Sequence, residues 1–210
     1  MNASAIRVIK FGGSLFDSEH VIQQLPDWLM RQEPMVNLLV VGGGAIADAV
    51  RQFDAKYPLD EATAHHLCLD AMSITARLIA NALSCAELLL EISNLEPQIS
   101  IRELNLETAL APTDKLHVVD VRDFLNRRHD EPVVAELPSS WDVTSDSLAG
   151  VVAVSVGATE LVLLKSCLPS MAAGSAPLSD PGYVDRYFAK LHSRLPRVRF
   201  VNARAGYTES

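Results

Sequence analysis

The sequence predicts an α/β layer architecture with a largely parallel sheet, and three observations carry that expectation. Branched apolar runs alternate with helical patterns, the order that builds parallel sheets covered by helices. Twice, at Gly12-Gly13 and at Gly42-Gly43-Gly44, such a run ends in glycines. No internal repeat and no coiled-coil heptad competes with this reading.

The first strand, Ile6 to Phe11, is rich in branched residues and meets the turn Gly12-Gly13-Ser14. Asn37 to Val41 is the second. After its glycines, Ile46, Ala49, Val50 and Phe53 recur at helical spacing, so a helix is expected from about Ala45. Asp60 to Cys85 reads as one long helix without internal proline, with Leu67, Ala71, Ile74, Leu78 and Ala82 on one side. Leu116 to Val121 and Val133 to Leu137 are expected as strands around a short helix in the polar segment Arg122 to Glu131. Thr144 or Ser145 is expected to cap a helix running to about Val156. Leu161 to Lys165 reads as a buried strand and Arg197 to Asn202 as a last one, while Cys167 to Gly182, rich in Pro, Ser, Ala and Gly, reads as a mobile connection rather than a linker. The 210 residues suit a single domain spanning 1–210.

A formal net charge of -8 argues against a generic basic surface for nucleic acid or anionic membrane, so any phosphate site must be local. Cys68, Cys85 and Cys167 have no C-x-x-C spacing, which suggests neither a disulfide framework nor a zinc ribbon and fits a reducing cytoplasm. Met1 to Arg7 lacks a basic region leading into an apolar stretch, and no run of 18 apolar residues occurs, so neither a signal peptide nor a membrane span is read.

The chemistry-bearing residues gather at predicted strand ends. In Lys10-Phe11-Gly12-Gly13-Ser14 the glycines let backbone N–H groups approach phosphate oxygens, and the ammonium offsets charge on a transferring phosphoryl. The same glycines serve equally as a plain turn, and no P-loop motif is present. At Gly42 to Gly44 a helix start aims its free N–H groups and positive dipole end at whatever sits over the turn, although three glycines also simply permit a sharp reversal. Trp141-Asp142-Val143-Thr144-Ser145-Asp146-Ser147 holds more hydroxyls and carboxylates than capping needs, which leaves some to position lysines, ligand hydroxyls or magnesium. Lys165 stands at the carboxyl end of its strand, where parallel sheets bind ligands. His65 and His66 point about 100° apart on a helix and cannot chelate one ion together; one of them can face an acceptor. No protein-held metal is expected, and Arg122, Arg127, Arg128 and His129 read as a solvated helix face.

In their order along the chain, Lys10 to Ser14, Val41 to Gly44, Val143 to Ser147 and Leu163 to Ser166 resemble the successive motifs of the amino acid kinase superfamily, which includes acetylglutamate, carbamate, aspartate and uridylate kinases. Asp60-Glu61, Ala64-His65, Ala71-Met72, the Ser140 to Ser147 run, Val184-Asp185 and Tyr187-Phe188 resemble more narrowly the kinases of methanofuran biosynthesis, which phosphorylate an aminomethylfuranyl-methyl phosphate. The resemblance implies a three-layer α/β/α sandwich of the carbamate kinase type and an enzyme using ATP and Mg2+. It implies Lys10 at the transferring phosphoryl, Gly12, Gly13 and Ser14 on the nucleotide phosphates, and Gly42, Gly43 and Gly44 on the acceptor phosphate. Asp146 would orient the cations, Thr144 and Ser145 would lie near the acceptor, and Lys165 on the nucleotide side. Acceptor choice would fall to His65, Met72 and Trp141.

The chain departs from many relatives after about Lys165, where Cys167 to Gly182 replaces an aspartate-glycine loop and a lysine-bearing helix; a shortened nucleotide part is expected there. Three functions therefore stand side by side: the kinase of the furan phosphate, a kinase taking a carboxylate, carbamate or nucleoside monophosphate, and a non-catalytic ligand-binding relative. The expected partners are a small-molecule acceptor and further copies of the chain, paired through the Asp60 to Cys85 helix as relatives commonly are.

Overall fold

The computed structural model describes residues 5–83, 86–89, 116–168 and 183–209. In chain order the elements are β1 Ile6–Phe11, α1 Glu19–Met30, β2 Val36–Val41, α2 Gly44–Lys56, α3 Glu61–Ala82, β3 Ala86–Leu89, β4 Leu116–Val119, α4 Val121–Arg127, α5 Pro132–Ala135, α6 Ser145–Ser155, β5 Glu160–Lys165, α7 Arg186–Leu191, β6 Arg197–Asn202 and β7 Thr208–Glu209. The strands form one sheet in the order β3-β4-β2-β1-β5-β6-β7. Every pair is parallel except β6 with β7. The expected α/β fold with a largely parallel sheet is therefore what the chain adopts.

Strand period divides the core between two faces. Val8 of β1 and Leu161 and Leu163 of β5 pack with residues of α4, α5, α6 and α7. Ile9 and Phe11, with Val162 and Leu164, pack on α1, on the later part of α3 and on Tyr207. By the same parity Lys10 follows Val8, and Lys165 follows Leu161 and Leu163, onto the α6 face. Burying both faces explains why these strands read as continuous apolar runs rather than alternating ones.

At the amino edge of the sheet, buried charges tie four strands together. Arg7 donates to Glu160 at 2.6 Å and to Asn37 at 3.1 Å, and Arg199 pairs with the other oxygen of Glu160 at 2.9 Å. Burial pushes the Glu160 carboxyl up, but the two guanidiniums outweigh it and hold the group below its usual range.

Several expectations need correction. Val133 to Leu137 is no strand: Pro132 occupies the first helical position, where its missing N–H costs nothing, and α5 follows with Val133 and Val134 buried. The strand expected to reach Val121 stops at Val119, because the Asp120 side chain accepts from the Asp123 N–H and caps α4. Most of the stripe expected to be the inner side of the long helix faces outward: Leu67, Ile74 and Leu78 are exposed, whereas Ala71 of that stripe is buried with Ala64, Leu69, Met72, Ala76 and Ile79. Small residues there let α3 lie close to its neighbours. That helix ends at Ala82, and Cys85 lies outside the described residues, as does 169–182 of the expected connection. Nor is the basic cluster merely solvated. Arg128 reaches Glu131 and donates to Ser155 at 3.1 Å, fixing α5 against α6, and Arg122 pairs with Asp70 of α3.

Candidate active site

The chain leaves β1 toward β2 on one side and later returns as β5 on the other, so a crevice opens at the carboxyl end of β1. Three side chains converge there from two strands and a helix. Asp146, in the first turn of α6, places Oδ1 2.8 Å from Lys10 Nζ and Oδ2 2.6 Å from Lys165 Nζ. Lys165 also donates to the Tyr183 carbonyl at 2.8 Å. Lys10 is 5% exposed and Asp146 4%, so the carboxylate is the counter-charge that makes two buried ammonium groups tolerable. Burial pushes the Asp146 carboxyl up, but the two lysines outweigh it and hold it below the usual carboxylate range. Burial and the nearby Lys10 charge hold Lys165 below the usual lysine range, although Asp146 opposes them.

The two glycine turns touch each other. A Cβ on Gly13 would stand 2.6 Å from the Gly44 nitrogen and 2.9 Å from its Cα, and one on Gly42 would stand 2.7 Å from the Gly13 nitrogen. Gly44, at φ +52°, needs the left-handed conformation as well. Thr75 of α3 holds the second turn by donating to the Gly42 carbonyl at 3.0 Å. α2 then starts with Gly43 as its cap and no side chain bonded to its first amides, leaving those donors to the crevice.

A cavity of about 280 Å³ opens over these turns, between α2, α3 and the segment before α6. Gly13, Ser14, Gly43, Gly44, Thr144 and Ser145 form its polar end. His65, Leu69, Met72, Trp141 and Leu148 form its apolar wall. Of the residues expected around an acceptor, only Gly42 does not line the cavity; it backs it, with the position of its missing Cβ 3.1 Å from Ser145 Oγ. His65 is buried and faces in, and burial together with the neighbouring His66 lowers its pKa, which favours a neutral imidazole. His66 is exposed.

Sequence spacing shows neither the place of Arg51 nor the double cap made by Asp185. Arg51 of α2 lines the cavity, paired with Asp48 at 2.7 Å and stacked 5.4 Å from the Trp141 ring, whose Nε1 donates to Asp54 at 3.0 Å. Asp185 caps two helices at once: it accepts from the Thr144 and Ser147 N–H groups, each at 3.0 Å, and from the Phe188 N–H at 2.9 Å. Thr144 stands at the capping position of α6, but its hydroxyl donates to Asp185 at 2.7 Å instead of bonding the helix. Asp142, expected to work beside Asp146, turns away to an exposed pairing with Arg186.

This arrangement suits phosphoryl transfer, in which alignment and charge neutralisation do most of the work. The touching turns form a backbone cradle that a single Cβ would fill, and the first of them follows the strand end that carries Lys10. Among the described residues no three His, Cys, Asp or Glu side chains converge as a metal site. Nor is any helix among them long and apolar enough to cross a membrane.

The model of the amino acid kinase family matches residues 5–167. No curated protein sequence matches the chain. Among solved structures, UMP kinase from Ureaplasma parvum aligns at 15% identity and TM-score 0.57 over 95% of this chain and 90% of that one. Uridylate kinase from Archaeoglobus fulgidus aligns at 14% and 0.56, covering 92% and 88%. UMP kinase from Bacillus anthracis aligns at 14% and 0.60, covering 96% and 88%. At such identities the likeness establishes the shared fold.

Proposed function

Because the chain belongs to the amino acid kinase family, we propose that it moves the γ-phosphoryl group of magnesium-ATP onto a small phosphate monoester held in the 280 Å³ cavity. The observation that carries this reading is the contact between the two glycine turns beside the Lys10-Asp146-Lys165 cluster. In the proposed step an acceptor phosphate oxygen forms a bond to the γ-phosphorus while the bond from that phosphorus to the β,γ-bridging oxygen breaks, and ADP leaves. The acceptor oxygen is already anionic, so no general base is required. Lys10 offsets the charge gathering on the transferring group, and Asp146 fixes both ammonium groups in place. Magnesium arrives on the nucleotide phosphates as part of that substrate.

The cavity volume lies at the low end for small-molecule sites, and its wall of Leu69, Met72, Leu148 and Trp141 fits a compact ring. An aminomethylfuranyl-methyl phosphate has that shape, and it is the acceptor named by the narrower sequence resemblance. A kinase with another acceptor uses the same cradle, and the neighbours in fold are described as UMP kinases, which favours testing nucleoside monophosphates with equal weight. Self-association is part of the proposal: Leu67, Ile74 and Leu78 on α3, with Phe53 and Tyr57 on α2, leave large apolar groups exposed.

The test is ADP release from magnesium-ATP across a panel of furan phosphate, nucleoside monophosphate, carboxylate and carbamate acceptors, for the native protein and Lys10→Ala. Acceptor-dependent release that disappears in the variant supports the kinase and names its acceptor. A folded native protein that binds these acceptors and releases no ADP would instead be a ligand-binding relative.

A further inference from the structure

On the kinase reading Lys165 would serve the donor side, but it is committed to Asp146 and to the Tyr183 carbonyl. Another cation reaches that side from the far end of the sequence. At the carboxyl edge β5 lies between β1 and β6, and the turn after β6 begins where β5 ends, with the Ala203 N–H donating to the Lys165 carbonyl at 2.9 Å. From this turn Arg204 crosses to the first glycine turn and donates through Nη2 to the Ser14 carbonyl at 2.9 Å. The same nitrogen meets Asp17 Oδ1 at 2.6 Å. Ser14 in turn donates to Ser166 at 3.4 Å; Ser14 borders the acceptor cavity, whereas Ser166 and Arg204, which follow β5 and β6, do not line it.

The turn is held firmly. Asn202 accepts from the Ala205 N–H at 3.1 Å, Gly206 takes φ +74°, and Tyr207 takes φ +61°, a left-handed conformation that side-chain-bearing residues seldom adopt. Tyr207 tolerates it because its ring is buried, stacked 5.4 Å from Trp28, with its hydroxyl donating to the Val21 carbonyl. The guanidinium therefore stands on a fixed support. Its side chain is 42% exposed, and both contacts use one nitrogen of a five-donor fork, so donors remain for an incoming anion.

We propose that Arg204 binds the phosphates of the donor nucleotide, exchanging Asp17 for them. The lining favours donor over acceptor: the cavity is lined from the β1 and β2 turns, α2, α3 and the segment before α6, whereas Arg204 reaches Ser14 from the turn after β6 and does not line it. The inference rests on the kinase reading for the presence of a nucleotide, and its test separates the two.

Calorimetric titration of magnesium-ATP and of adenosine would compare the native protein with Arg204→Ala, Arg204→Gln and Asp17→Asn, each first shown to be folded by its thermal unfolding. Arg204→Gln keeps a donor for the Ser14 carbonyl and so guards against loss of the turn itself. Both arginine variants are expected to bind magnesium-ATP roughly 10-fold more weakly, as loss of a charged hydrogen bond does, with adenosine unaffected. Asp17→Asn frees the guanidinium and is expected to bind magnesium-ATP at least as tightly as the native protein. Native affinity in both arginine variants would overturn the role of Arg204 and leave the kinase reading standing. Equal weakening in Asp17→Asn would also overturn it, since Arg204 would then act only by clasping Asp17. A folded native protein that does not bind magnesium-ATP would overturn both.

Discussion

Replacing Asp146 by asparagine tests what the buried ion cluster contributes. The carboxylate meets Lys10 at 2.8 Å and Lys165 at 2.6 Å, and all three groups lie inside the protein. A neutral amide leaves two buried ammonium groups facing each other without counter-charge. Removing one partner from a buried pair costs about 3–5 kcal/mol. For a chain of this length each kcal/mol moves the thermal midpoint by about 2–4 °C, so a fall of roughly 6–20 °C is expected at pH 7. The pH dependence supplies a second signature. In the native protein the folded pKa of Asp146 lies below the ordinary aspartate value of 3.8, so its stabilisation is complete above that value and is lost as pH falls through the lower folded pKa. Lys165 works the other way. Its folded pKa lies below 10.5, so stability is regained as pH rises through that lowered value toward 10.5. Asp146→Asn lowers the proton affinity of Lys165 further, and its deficit against the native protein should shrink on the alkaline side. Thermal unfolding followed by circular dichroism from about pH 2 to 10 reads both effects. A variant with the native midpoint at pH 7 would refute the counter-charge argument.

Two further substitutions probe the cradle and its support. Gly13→Ala drives a methyl to 2.6 Å from the Gly44 nitrogen, and backbone on both sides cannot yield without separating the turns; turnover is expected to fall by at least ~100-fold, as misplacement by about 1 Å does, and near-native rates would show that the turns do not act together. Asp185→Ala removes the caps of α6 and α7 together and should cost ~2–4 kcal/mol in urea unfolding, from about 1–2 kcal/mol per cap; a loss confined to one cap's worth would mean that only one of the two helices depends on it.

Most of the sheet is legible in the sequence because β1, β2 and β5 are short, largely apolar runs bounded by glycine or polar residues, the form taken by parallel strands buried on both faces, while β6 shows itself by the alternation of Arg197, Val198, Arg199 and Phe200. α1 goes unread because Pro26 sits inside it and interrupts the helical pattern of Val21, Leu25 and Trp28. Val133 and Val134 read as strand because two buried branched residues have no period of their own; Pro132 decides for helix. On α3 the larger residues Leu67, Ile74 and Leu78 draw attention to one side, yet the inner side is built with small alanines for close approach. At the site, local motifs place Lys10, the glycines and Asp146 at strand and helix ends, where geometry brings them together. Arg51 and Arg204 act across space with no motif around them to mark them, and Asp185, noted in sequence only within Val184-Asp185, gives no sign there that it caps two helices.

The contact between the glycine turns has a consequence for how such a protein can diversify. Where donor and acceptor phosphates would meet, the surface is main chain, and no side chain can be added at Gly13 or Gly42 without forcing the turns apart. Drift in sequence therefore has little to act on at the reacting end. The far wall, made by Arg51, His65, Met72 and Trp141, is all side chain and can change one residue at a time without touching the turns. A descendant could acquire a new acceptor through that wall alone while inheriting the phosphoryl chemistry intact.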